Sequence, residues 1–158
     1  MSQAEDSDAR PKSRGGSRAT ARRRAVELVF EAFQRRLGLV QLLRQRAALR
    51  GSGAEGLPDA VEAPPYTIEL VTGVAEHQTE ISEWLDSYSQ GWPQSRMPAV
   101  DRAILYVGAY EVVFEDDVPD PVVLKAAADL AGKLSTAKSA DFVSGLLGRL
   151  AKIKATLR

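Results

Sequence analysis

Between Pro98 and Glu115 the apolar residues Val100, Ala103, Ile104, Val107, Tyr110 and Phe114 recur at intervals of three or four, so a helix gathers them on one face. The same period returns elsewhere. It is carried by Ala21, Ala25, Leu28, Val29 and Ala32, by Leu39, Val40, Leu43 and Ala47, and by Ile68, Val71, Val74 and Ala75 followed by Ile81, Trp84 and Leu85. Near the C-terminus it reappears in Phe142, Val143, Leu146, Leu147, Leu150 and Ile153. No stretch alternates apolar and polar residues as a half-buried strand would. The sequence predicts an all-α chain of six or seven helices, with 98–115 the most buried.

Local signals set the boundaries. Residues 1–16 lack periodic apolar residues and end in Gly15-Gly16, which predicts a disordered basic arm, with the folded region over 17–158. Ser17 is the expected N-cap of a first helix running to about Arg35, and a second helix is expected over Val40–Leu49. The GSGAEGLPD segment reads as a loop, after which Tyr66 to about Tyr88 reads as helical. Gly73 is expected at a close-packing point and His77–Gln78 at a bend. GWPQSRMP marks a turn, and Pro98 suits the first turn of the next helix. A helix over Val122–Lys133 follows, and Ser139 is expected to cap the last one.

What the chain lacks narrows its chemistry. With no Cys, disulfides, thiolate nucleophiles and thiolate-bound metals are excluded, and the lone His77 excludes a histidine cluster. No serine sits in a G-x-S-x-G elbow, and neither G-x-x-x-x-G-K-[ST] nor G-x-G-x-x-G occurs. His77, flanked by Glu76 and Glu80, reads as an exposed or capping residue. Asp116 and Asp117 read as a solvated acidic turn rather than a metal site. A non-enzymatic protein without cofactor or metal is expected. No apolar run approaches the ~18 residues of a membrane span, so the expected setting is the cytoplasm, away from membranes.

Charge is the positive signal. Lysine and arginine total 21, as do aspartate and glutamate, yet residues 1–50 hold 12 basic against 5 acidic and residues 51–158 hold 9 against 16. Arg10, Lys12, Arg14, Arg18, Arg22, Arg23 and Arg24 fall in one stretch without an acid. Such segregation points to a polyanion as partner. Arg23 and Arg24 precede Glu27 by four and three residues, so helix pairing accounts for them equally well. Arg18 and Arg22 point the way of Ala25 and Val29. They are expected to pass the rim of the core, or to lie across it with their heads in solvent, with no acid nearby in sequence. Phosphate binding by these guanidiniums is one reading, and a solubilising basic tail is the other.

Four segments then resemble a known family: RATARRRAVELVFEA from Arg18, PYTIELVTGV (65–74), PAVDRAILYVGAYEVVFEDDVP (98–119) and PVVLKAAADLAGKLSTAKSADFVSGLLGRLA (121–151). Over about 17–151 the chain is similar to the NusB family of bacterial transcription antitermination factors. That resemblance implies two small packed helical bundles. It implies binding of boxA-type single-stranded RNA of ribosomal RNA leaders, jointly with the ribosomal protein NusE, in a complex that modifies RNA polymerase for read-through.

On the residues themselves, the resemblance assigns RNA to Arg18, Arg22 and their neighbours Arg14, Arg23 and Arg24. Lys138 and Phe142, at the start of the last helix, are further candidates for the same face. It assigns the protein partner to Asp101; helical angle places that residue at the edge of the core face, where Leu105 and Gly108 leave an approachable shoulder, and Tyr106 is a further candidate. Departures from the family pattern are Lys125-Ala126 in place of Asn-Glu, Ser144 in place of Asn, Tyr106 in place of Arg, and Lys138 in place of an acid. Two other readings stay open: an RNA-binding accessory protein for ribosomal RNA modification or processing, and a structural helical homodimer.

Overall fold

Pro98 stands at the N-terminus of the central helix, where its fixed φ suits the entry and its missing N–H leaves nothing unpaired. We describe the fold from a computed structural model, which covers the backbone of residues 2–51 and 63–158 and the side chains of residues 18–47 and 63–158. The helices are α1 (Ser2–Arg35), α2 (Leu39–Gly51), α3 (Pro65–Glu76), α4 (Gln78–Tyr88), α5 (Ala99–Phe114), α6 (Asp120–Leu134) and α7 (Ala137–Leu157), with a 3₁₀ turn at Gln94–Arg96. Among the described residues there is no strand.

α5 is the hub. Eleven of its 16 residues are buried, and it packs against α1, α3, α4, α6 and α7. Two groups meet on it: α1, α2 and α3 pack on one another, as do α6 and α7, and a single apolar core runs through both groups. Side-chain pairs give the directions. Arg22 meets Glu111 while Phe33 meets Tyr106, so α1 runs antiparallel to α5. Asp101 meets Ser139 while Asp116, just past α5, meets Arg158, so α7 runs parallel to it.

The expected bend is a true break: His77, at φ −116° and ψ 19°, ends α3 and precedes α4. Its ring stacks on Phe114 with centroids 3.9 Å apart, and its Nδ1 lies 2.9 Å from Glu80. Gly73 is the expected close approach. A Cβ there would lie 2.2 Å from the Tyr110 ring, so only glycine admits that ring against α3.

Two boundaries differ from the sequence reading. Thr136, not Ser139, caps α7, its Oγ1 accepting from the Ser139 N–H at 3.0 Å. Ser139 is buried within the first turn, and its hydroxyl serves Asp101 instead. The expected helix start at Ser17 falls inside α1. The disordered arm expected over 1–16 is a further difference, because the backbone of 2–16 continues α1; the side chains there, Arg14 among them, and those of the GSGAEGLPD segment lie outside the described residues.

Candidate nucleic-acid interface

Arg18 and Arg22 sit one helical turn apart on α1, and the fold gives them opposite fates. Arg22 is only 7% exposed. Its Nε donates to the Glu111 carboxylate at 3.0 and 2.8 Å, and its Nη2 lies 2.7 Å from Oε2. The Tyr66 hydroxyl donates to the same Oε2 at 2.7 Å, so one buried carboxylate gathers α1, α3 and α5. Nearby, the Thr67 hydroxyl donates to the Ala21 carbonyl at 2.8 Å, pinning α3 to α1 a second time.

The electrostatics follow from that burial. Burial alone pulls the Arg22 guanidinium down, but the hydrogen bond and charge of Glu111 hold it above its ordinary value. Burial and the Glu111 hydrogen bond push the Tyr66 hydroxyl up, so it remains a donor. This corrects the sequence reading of Arg22. Its head is not in solvent, because its partner was waiting on α5.

Arg18 is the more open member, half-buried with 39% of its side chain exposed. Its guanidinium carbon lies 4.4 Å from the centroid of the Tyr66 ring, against 6.0 Å for Arg22. Its Nη2 reaches the exposed Asp117 carboxylate at 3.5 Å. Arg23 is exposed, with Nε 3.9 Å from Glu27, which is a loose surface pair as expected. Arg24 is half-buried. The arrangement thus offers a cation oriented by an aromatic face at the mouth of a rigid, buried ion pair.

Lys138 and Phe142 are not brought to that place. Arg18 lies beside the acidic turn that also meets Arg158, at the C-terminal end of α7. Lys138 opens the other end, about 30 Å away at 1.5 Å per residue. There Lys138 is exposed, and the half-buried Phe142 packs edge-on against Trp92 with centroids 4.3 Å apart. Any nucleic acid touching both ends must run along the molecule.

The expected protein-partner residues are all internal. Asp101 and Leu105 are fully buried and Tyr106 is 5% exposed. Asp101 Oδ2 accepts from the Ser139 hydroxyl at 2.5 Å, and its Oδ1 has no partner among the described residues. Tyr106 donates to Gln94 Oε1 at 2.9 Å and meets Phe33 edge-on. The shoulder expected at Asp101 is therefore a correction: α7 covers it. Tyr66, Glu111 and Asp117 were not anticipated as part of the arginine site. Glu111 did leave a signal, since an acid set among the apolar residues 103–114 of α5 needs a buried partner.

The sequence profile of the NusB family matches residues 19–152. The transcription antitermination protein NusB of Arthrobacter sp. (strain FB24) is 46% identical over 141 residues, covering 89% of this chain and 97% of that protein. That of Beutenbergia cavernae is 45% identical over 152 residues, covering 90% and 94%. In three dimensions the chain is similar to NusB of T. maritima, with a TM-score of 0.69, 28% identity, and coverage of 85% of this chain and 90% of that one. The same fold, at a TM-score of 0.69 and 23% identity over 86% of this chain and 96% of that one, occurs in a crystal structure of the antitermination factors NusB and NusE with double-stranded RNA.

Proposed function

The chain belongs to the NusB family, and from that premise we propose that it is a non-enzymatic transcription antitermination factor that binds boxA-type single-stranded RNA together with the ribosomal protein NusE. The observation that carries the reading is the identity of about 45% with antitermination proteins over nearly the whole chain. The half-buried Arg18 on its Tyr66 platform, beside the exposed Arg23 and the half-buried Arg24, supplies the phosphate-binding chemistry.

In this reading Arg18 is the RNA ligand and Arg22 is the post that fixes the helix bearing it. Lys138 and Phe142 extend the path towards the opposite end of α7. Bound RNA and NusE deliver the protein to RNA polymerase for read-through of ribosomal RNA leaders, in the cytoplasm. No described helix is long and apolar enough to cross a membrane.

The test is binding of a labelled boxA-type single strand to the full chain, with and without NusE. We expect binding by the protein alone, weakened by Arg18→Ala, and tightening when NusE is added. Absence of RNA binding in both conditions would overturn the reading.

A further inference from the structure

We infer that Asp117 is an internal stand-in for RNA phosphate: its carboxylate holds Arg18 in the free protein and is displaced when a phosphate takes that place. This rests on the proposed RNA-binding function and adds a residue which sets how readily the site opens.

Two arginines on neighbouring turns of one helix show the contrast that motivates it. Arg22 is locked on Glu111 at 2.7 Å, the length of a strong charge-assisted contact, and is buried. Arg18 reaches Asp117 at 3.5 Å through a single nitrogen, and the Asp117 side chain is 69% exposed. An exposed pair at that length contributes little and is readily exchanged. The Tyr66 ring, in contrast, stays beside the Arg18 guanidinium at 4.4 Å whichever anion holds its edge, because Tyr66 is itself anchored on Glu111. The guanidinium is thus oriented before RNA arrives, and only a weak carboxylate contact has to be given up.

Discrimination follows from this competition. A sparse anion gains no more from Arg18 than Asp117 already gives. A phosphate in a strand, engaging the guanidinium fork with two oxygens and other cations along the chain, gains more. Asp117 therefore weakens every anion at this position by a similar small factor, which a strand with further phosphate contacts offsets and an isolated anion does not.

The neighbouring acid provides the control. Asp116 is as exposed as Asp117, at 69%, but pairs with Arg158 at 2.6 Å rather than with Arg18. Neutralising either acid changes the net charge equally. Anisotropy titrations of a short fluorescein-labelled single-stranded RNA would compare the parent, Asp117→Asn, Asp116→Asn, Arg18→Ala, and Arg18→Ala combined with each of the other two. Circular dichroism melts confirm that each variant is folded.

Asp117→Asn is expected to tighten binding about two- to fivefold, the range an exposed ion pair spans, and more than Asp116→Asn does. In the Arg18→Ala background the two Asn variants should behave alike. Equal tightening by Asp116→Asn and Asp117→Asn, or an Asp117→Asn gain that survives loss of Arg18, would overturn the displacement while leaving RNA binding intact. No RNA binding by the parent would overturn both the displacement and the function it rests on.

Discussion

Arg22 on α1 and Glu111 on α5, 89 positions apart in sequence, meet through a two-pronged buried contact that Tyr66 completes from α3. Breaking a buried pair strands a charge, which typically costs about 3–5 kcal/mol. Arg22→Ala and Glu111→Ala are therefore expected to lower unfolding free energy by that order in urea titrations. Arg22→Met with Glu111→Leu should recover most of the loss, since neither charge is left behind. An Arg22→Ala protein with an unchanged urea midpoint would show that the pair does not hold the fold. Loss of RNA binding in Arg22→Ala alone is accordingly a folding readout, not a contact readout.

Period made the helices legible, whereas both expected N-caps, Ser17 and Ser139, were misplaced. The α5 register, the His77 break and the Gly73 approach all follow from local residue types that mean the same thing in any context. Pairings between distant segments were less accessible. Arg22 has no acid near it in sequence, so periodicity alone leaves its head in solvent, while Glu111 attracted no notice inside an apolar run. Asp101 misled for a related reason: helical angle places it at the edge of the α5 face, and only the packing of α7 shows that the edge is covered.

Gly73→Ala is expected to destabilise the protein by about 1–3 kcal/mol, the usual range for forcing atoms into a packed contact. The added methyl would meet the Tyr110 ring at 2.2 Å, and the ring is held by its own hydrogen bond to Glu115 at 3.0 Å. Thermal melts of a double-mutant cycle with Tyr110→Ala check the cause. The cost of Gly73→Ala should shrink once the ring is gone, and a cost independent of Tyr110 would place the strain elsewhere.

The Ser139 hydroxyl is the hydrogen-bond donor to Asp101, a residue with no exposed surface. Ser139→Ala removes that donor from a buried carboxylate, a change worth about 1–3 kcal/mol. The midpoint of chemical unfolding should fall accordingly. Asp101→Lys, which replaces an acid with a base at a covered position in the first turn of α5, should fail to fold. If Asp101→Lys folds with parental stability, α7 does not cover that position in solution.

Glu115 gives a pH dependence. Burial raises its pKa above the ordinary 4.5, the Tyr110 hydrogen bond opposes this, and Glu69, Asp117 and Glu111 raise it further. A carboxyl with a raised folded-state value favours the fold when protonated, and that contribution is lost as pH rises through the folded value. Glu115→Gln keeps an acceptor for Tyr110 without the charge. It should therefore raise the melting temperature at pH ~7.5 and leave it nearly unchanged at pH ~3, well below the ordinary value, where the native residue is itself largely neutral in both states. A gain of equal size at both pH values would assign the effect to something other than titration.

Arg18 is the cation on which RNA binding is expected to depend most, and salt separates its role from that of the fold. Each phosphate neutralised on a single strand contributes roughly −0.7 to the slope of log K against log salt, so about four contacts give a slope near −3. Arg18→Ala should remove one such contact, flattening the slope by roughly 0.7 and weakening binding about tenfold at low salt. Its melting temperature should stay close to the parent's, because the guanidinium is only partly buried and its pair with Asp117 is long. Arg23→Ala, on the same helix but away from Tyr66, should flatten the slope similarly while weakening binding less. Its guanidinium has no aromatic platform to orient it, only the loose contact with Glu27. An Arg18→Ala protein with the parental slope and affinity would show that the arginine face is a solvated surface and that RNA is held elsewhere.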